Sequence, residues 1–205
     1  MIWSPPERAG EGPILVAEGI VATTPIATPD GWCCAGDLSV GMQVVTFDGG
    51  IQRLIHALKL PLESAPPDFW PLRVPCGALD NRAEVMLLPD QKLLIEADCA
   101  EDLFGDPFAL IPARALEGWR GIERFRPPPH LVTVQLQFAR HQLVYASRGL
   151  LLSCPGDALS EDMAAPQDYS ACSLTQARHL VFCLMAEEAG AALRKAEQRR
   201  SGFPA

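Results

Sequence analysis

The chain has 205 residues, 48% of them hydrophobic and 20% charged, a composition ordinary for a globular protein large enough to bury a sizeable core. A net charge of −8 and a pI near 5.0 argue against nucleic-acid binding, which needs a basic face; the basic block Leu193–Arg200 suits the negative end of a helix instead. Seven cysteines without CxxC spacing read as reduced thiols of a cytoplasmic protein, and no apolar run reaches the roughly 18 residues of a membrane span.

Residues 1–13 are polar and rich in proline and glycine, and read as a flexible leader rather than a secretory signal, which wants a basic start and an unbroken apolar stretch. From Ile14 to Thr28 the residues are mostly apolar, Thr or Ala, which predicts short strands, and Pro29-Asp30-Gly31 predicts a tight turn. The segment "QVVTF" reads as a strand, "DGG" as a hairpin turn and "IQRLIHALKL" as the returning strand. Proline dominates "PLESAPPDFWP", and "PLRVP" is a short strand. Two strands are predicted around the Pro89-Asp90 turn, then a short helix capped by Asp98, then a strand in "DPFALIP".

The clearest strand signal is Val132, Val134, Leu136 and Phe138 alternating with Thr133, Gln135 and Gln137, the period of a half-buried strand. "ARHQ" then reads as a bend and "LVYA" as the strand paired back onto it. Residues 158–172 read as an acidic linker. Residues 173–200 predict an amphipathic helix: Ser173 and Gln176 fit a capping box, and Leu174, Ala177, Val181, Leu184, Ala189 and Leu193 recur at helical spacing. The expected fold is therefore mostly β, built of short strands over residues 14–157, with a C-terminal helix packed on the domain or on a partner.

The opening "GIVATTPIATPDGWCCAGDLSVGMQVVTFDGGIQRL" resembles the start of Hint domains, the fold of hedgehog C-terminal domains and inteins, and most of all bacterial Hint-like proteins of the alphaproteobacterial type. Thr24, Ile26, Thr28, Gly31, Leu38, Gly41, Val44, Thr46 and Asp48 occupy matching places; Met42 and Gln43 depart from the usual Gly-Asp pair. "MLLPDQKLLIE" resembles the second family block, "LFGDPFALIPARAL" the stretch after it, and "VTVQLQFARHQLVYASRGLLLSCPGD" the closing strands, with His141 at the family's usual histidine. The likeness spans about Leu15 to Asp157.

That resemblance implies autoprocessing. A Cys or Ser side chain attacks the carbonyl before it in an N-to-S or N-to-O acyl shift. A Thr and a His of the second block polarise the peptide bond and protonate the leaving amine. Carried over residue by residue, the parts are missing. The nucleophile falls on Gly19, the Thr on Leu88 and the His on Gln91. The expectation is a Hint-like fold that has lost self-cleavage and serves as a non-catalytic binding or scaffold module. Its partner would be a protein, or a second copy met through the C-terminal helix. A nucleophile shifted to Thr23 or Thr24 is the way residual self-cleavage would survive.

The other candidate is a thiol hydrolase, with His141 paired to Cys34 or Cys154. Cys33-Cys34 also read as a redox pair or as plain strand residues; neighbouring cysteines do not readily bridge. Cys172, His179 and Cys183 offer metal-ligand types on one helix face but no evident fourth ligand, and the acidic clusters lack calcium-loop spacing. No metal and no cofactor are expected.

Overall fold

Where apolar and polar residues alternate over four or five positions and a glycine or proline turn follows, the chain has little choice but to pair as short antiparallel strands. The computed structural model describes residues 16–62, 66–157, 169 and 171–201. The expected leader and most of the expected linker lie outside them. In chain order the described residues form β1 (Ile20–Val21), β2 (Pro25–Thr28), β3 (Gly31–Cys34), β4 (Gln43–Thr46), β5 (Gly50–Arg53), β6 (His56–Pro61), β7 (Leu72–Val74) and β8 (Val85–Leu87). There follow β9 (Lys92–Glu96), α1 (Asp98–Phe104), β10 (Phe108–Pro112), β11 (Glu123–Arg124), β12 (Val132–Gln137), β13 (Gln142–Ala146), β14 (Leu150–Cys154) and α2 (Leu174–Ser201).

The strands make two antiparallel sheets. One runs β11-β7-β8-β1-β12-β6; the other runs β10-β9-β14-β13-β2-β3, with β4 joined to β13 and β5. The predicted turns close the local hairpins: Thr28 pairs with Gly31 in β2–β3, and Thr46 with Gly50 in β4–β5. One buried cluster, including Ile20, Ile26, Leu72, Leu93, Val134, Val144, Leu152 and Leu180, joins both sheets and α2. Each such side chain contributes about 1.5–3 kcal/mol of burial.

Several local expectations change, and the strand pairings change for one reason: the chain repeatedly leaves one sheet for the other. "LVYA" is a strand but does not pair with the one before it. β12 pairs β1 and β6, whereas β13 pairs β14, β2 and β4. The strands around Pro89-Asp90 also part: β8 joins β1 and β7, and β9 joins β10 and β14. "IQRLIHALKL" is not one returning strand. It breaks at Leu54, which is buried, so that β5 pairs β4 and β6 pairs β12. Asp98 is the first residue of α1 rather than its cap, which is Ala97; its carboxylate still suits the positive end of the helix.

Helix α2 starts at the expected capping box, with Gln176 N donating to Ser173 Oγ at 3.3 Å and Ser173 N to Gln176 Oε1 at 2.9 Å. Ala177, Leu180 and Val181 are buried against the β body, but the apolar spacing beyond them is not used: Ala189 and Leu193 are exposed. Glu188 anchors the middle of the helix, accepting from Trp119 Nε1 at 3.1 Å and from Arg120 Nε at 2.7 Å. Glu188→Ala is expected to cost about 1 kcal/mol in a urea titration, since the Trp119 donor is left in a partly closed site.

Candidate functional site

The crossings between sheets bring together the residues that the sequence singles out. Gly19 stands at the entry to β1, Leu88 and Gln91 on the crossing from β8 to β9, and His141 on the crossing from β12 to β13. The crossing from β8 to β9 is tied down by backbone bonds: Asp90 N donates to Ala17 O at 2.8 Å, and Ala113 N donates to Gln91 O at 2.9 Å.

Gln91 is 1% exposed, and its carboxamide is fully used. Oε1 accepts from the Gly19 amide at 3.2 Å, and Nε2 donates to the carbonyls of Lys92 and Ser153, each at 2.9 Å. The backbone partners fix the amide orientation, because an N–H must meet the oxygen and two carbonyls must meet the nitrogen. The Gly19 N–H therefore already has a partner, and one that does not titrate near neutral pH.

Gly19 has φ +142°, a conformation that side chains rarely adopt. A Cβ there would stand 3.4 Å from Val134 O and 3.8 Å from Leu88 Cδ1. A Cβ would meet only ordinary contacts; the backbone conformation is what strains a side chain here. Leu88 is fully buried in a cluster with Val16, Val21, Leu62 and Leu131. Thus Gly19, Leu88 and Gln91 lie together, as a glycine, a hydrocarbon and a carboxamide.

Beside them opens a cleft of about 1190 Å³, to which Glu18, Gly19, Gln91, Lys92, His141 and Ser153 all contribute. Lys92 Nζ and Glu18 Oε1 form an ion pair at 3.1 Å on its wall. His141 is half-buried, and its Nε2 lies 2.8 Å from Ser153 Oγ. Among the described residues, the group at His141 Nε2 is the Ser153 hydroxyl, where the sequence reading paired this imidazole with the thiol of Cys34 or Cys154. Cys154, next along β14, is buried, and burial with the nearby Glu18 carboxylate pushes its thiol up, so it stays protonated at neutral pH. Cys34 is exposed on the edge strand β3.

Ser153 went unnoticed in the sequence, where it sits inside the apolar run "LLLSC". The hairpin register held the signal. With Gln142 opposite Cys154 and Leu143 opposite Ser153, a histidine just before β13 reaches diagonally across to residue 153.

The remaining candidates lie apart from this cleft. Thr24 is 3% exposed with its backbone in the turn after β1, and Thr23 is exposed. Cys33 is half-buried, its thiol raised by burial and by Asp37, while Cys34 faces solvent. His179 is exposed on α2 and Cys183 half-buried; among the described residues no three His, Cys, Asp or Glu side chains gather as metal ligands. Cys99 is pushed up to about 11 by burial and then by Glu187. A polar disulfide reagent is therefore expected to modify exposed Cys34 and Cys76 in the native protein, and Cys99 and Cys154 only after denaturation; peptide mapping reads the order. Among the described residues no helix is long and apolar enough to cross a membrane.

A family model for the Hint domain matches residues 19–152, a span that opens on Gly19. Among curated protein sequences none matches the chain. Solved structures with a similar fold include the MchDnaB-1 intein, 18% identical with TM-score 0.39, covering 66% of this chain and 98% of the intein. The gp41-1 intein is 13% identical with TM-score 0.43, covering 65% and 96%. A bacterial intein-like domain from Clostridium thermocellum is 12% identical with TM-score 0.44, covering 66% and 97%. The family match covers well over half of the chain, and the chain belongs to the Hint domain family.

Proposed function

We propose that this Hint domain no longer cleaves its own chain and acts as a binding or scaffold module. The observation that carries the reading is the Gly19 amide held on Gln91 Oε1 at 3.2 Å. The position of the nucleophile has no heteroatom, and the position of the acid has no titrating proton. What remains is a domain whose sheets, crossings and cleft are kept without the groups that would break a peptide bond.

The binding surface of this reading is the outer face of α2. Phe182 is 68%, Met185 44% and Leu193 66% exposed, on a helix whose first turns are anchored in the core. Large apolar side chains in a row on one exposed helix face suit a protein partner or a second copy of the chain. Sedimentation of the wild type beside a Phe182→Ser/Leu193→Ser variant tests this. Because both residues are exposed, the variant is expected to fold normally and to lose self-association. A wild type that stays monomeric when concentrated would remove the second copy as partner. Accumulation of a C-terminally tagged chain as a fragment starting at residue 19 would sink the whole reading.

A further inference from the structure

We propose that Ser153 and His141 form an acyl-transfer site for small carboxylic esters that enter the cleft. This goes beyond the binding role and does not depend on it: a chain that never breaks at Gly19 can still turn over an ester from solution.

The pair has the geometry of a nucleophile and its base, with Ser153 Oγ 2.8 Å from His141 Nε2. Both residues line the open cleft, and the Lys92 ammonium lies on the same wall. The backbone holds the pair from two sides. The Ser153 carbonyl is bound by Gln91 Nε2 at 2.9 Å. The chain at Arg140–His141 packs so closely on Gly156 that a Cβ there would come within 2.7 Å of His141 N. Phe138 N donates to Pro155 O at 3.2 Å and Gln137 Nε2 to Gly156 O at 3.0 Å, closing the same corner. Neither side chain therefore sits on a free loop, and positioning of this kind is what turns a hydrogen bond into a reactive pair.

The chemistry balances without a further reactant. Ser153 Oγ adds to the ester carbonyl carbon, and its proton passes to His141 Nε2. The C–O bond to the alcohol breaks, and the same proton leaves with the departing alkoxide. Water, giving a proton to Nε2, then adds to the acyl-serine; loss of the carboxylic acid returns Ser153 to its hydroxyl form. Lys92, paired with Glu18, and Arg140 are cations lining the cleft in which the oxyanion would develop.

The test uses the full chain with p-nitrophenyl acetate and, separately, an alkyl fluorophosphonate, a serine-directed phosphonylating agent. Expected are ester turnover and a single phosphonyl adduct on the peptide that carries Ser153. Ser153→Ala abolishes both. His141→Gln, which can still hydrogen-bond the hydroxyl but cannot shuttle its proton, slows labelling at least about tenfold. Failure of folded wild type to take up the phosphonyl group overturns the proposal, as does an adduct elsewhere or a His141→Gln rate equal to wild type. Adduct mapping on the wild type keeps the test decisive even if Ser153→Ala fails to fold.

Discussion

Replacing Gln91 by leucine is expected to destabilise the domain by about 3 kcal/mol, through three backbone groups that lose their partner at once. The Gly19 N–H, the Lys92 carbonyl and the Ser153 carbonyl all bond this one carboxamide. Gln91 is 1% exposed, so water cannot readily take its place. An unsatisfied buried polar group costs about 1–3 kcal/mol, and the apolar area that leucine adds offsets only part of three such losses. In urea the midpoint should fall by roughly 1–2 M. Gln91→Glu should be nearly as damaging near neutral pH, because a carboxylate offers no donor to the two carbonyls. A midpoint unchanged in both variants would mean that Gln91 does not hold the two sheets together at this crossing.

Restoring the missing groups should restore the chemistry. The triple variant Gly19→Cys, Leu88→Thr, Gln91→His is expected to break its chain before residue 19, and a small thiol is expected to accelerate the break. The new thiol would add to the Glu18 carbonyl carbon, and the C–N bond would break with a proton delivered from the imidazole. Dithiothreitol would then take the acyl group from the thioester. Space is available, since a Cβ at residue 19 meets nothing closer than 3.4 Å. The backbone is the obstacle: φ is +142°, and a side chain in such a region costs of order 1–3 kcal/mol unless the chain rotates. Gly19→Cys alone should therefore be less stable and uncleaved, because the leaving amine still faces a carboxamide. A triple variant that folds and stays whole in thiol would contradict the assignment of these three positions to the family's reactive groups.

What the sequence made legible was local. The β2–β3 and β4–β5 turns, the start of α2 and the β12 strand follow from glycine, proline, capping and alternation, all of which act within a few residues. What it hid was which sheet each strand joins. Alternation across Val132–Gln137 places side chains on two faces but says nothing about whether the next strand turns back or crosses over. The chain changes sheet between β1 and β2, at Leu54, at 88–91, between β10 and β11, and at 138–141, and the site draws on the crossings at 88–91 and 138–141. The resemblance singled out Gly19, Leu88, Gln91 and His141; the fold puts Leu88 and Gln91 beside Gly19, and Gly19, Gln91 and His141 all line one cleft. The resemblance did not reveal that Gln91 would occupy the Gly19 amide, nor that φ at Gly19 would resist a side chain. His141 was matched with thiols because cysteine is the conspicuous nucleophile, whereas its partner Ser153 is camouflaged in an apolar run. The C-terminal helix shows the same limit: its apolar spacing continues to Leu193, but its buried apolar side chains are Ala177, Leu180 and Val181, and the turn at Glu188 is held instead by polar bonds to Trp119 and Arg120.

The most direct test of the central claim is the intact mass of the purified wild-type chain after incubation with and without dithiothreitol or hydroxylamine. Both reagents intercept a thioester or an ester. The account predicts one unchanged full-length species under every condition, since Gly19 offers no heteroatom and Gln91 no proton. A fragment beginning at or near Gly19, increased by either nucleophile, would contradict it and show that a working self-cleaving site remains in the chain.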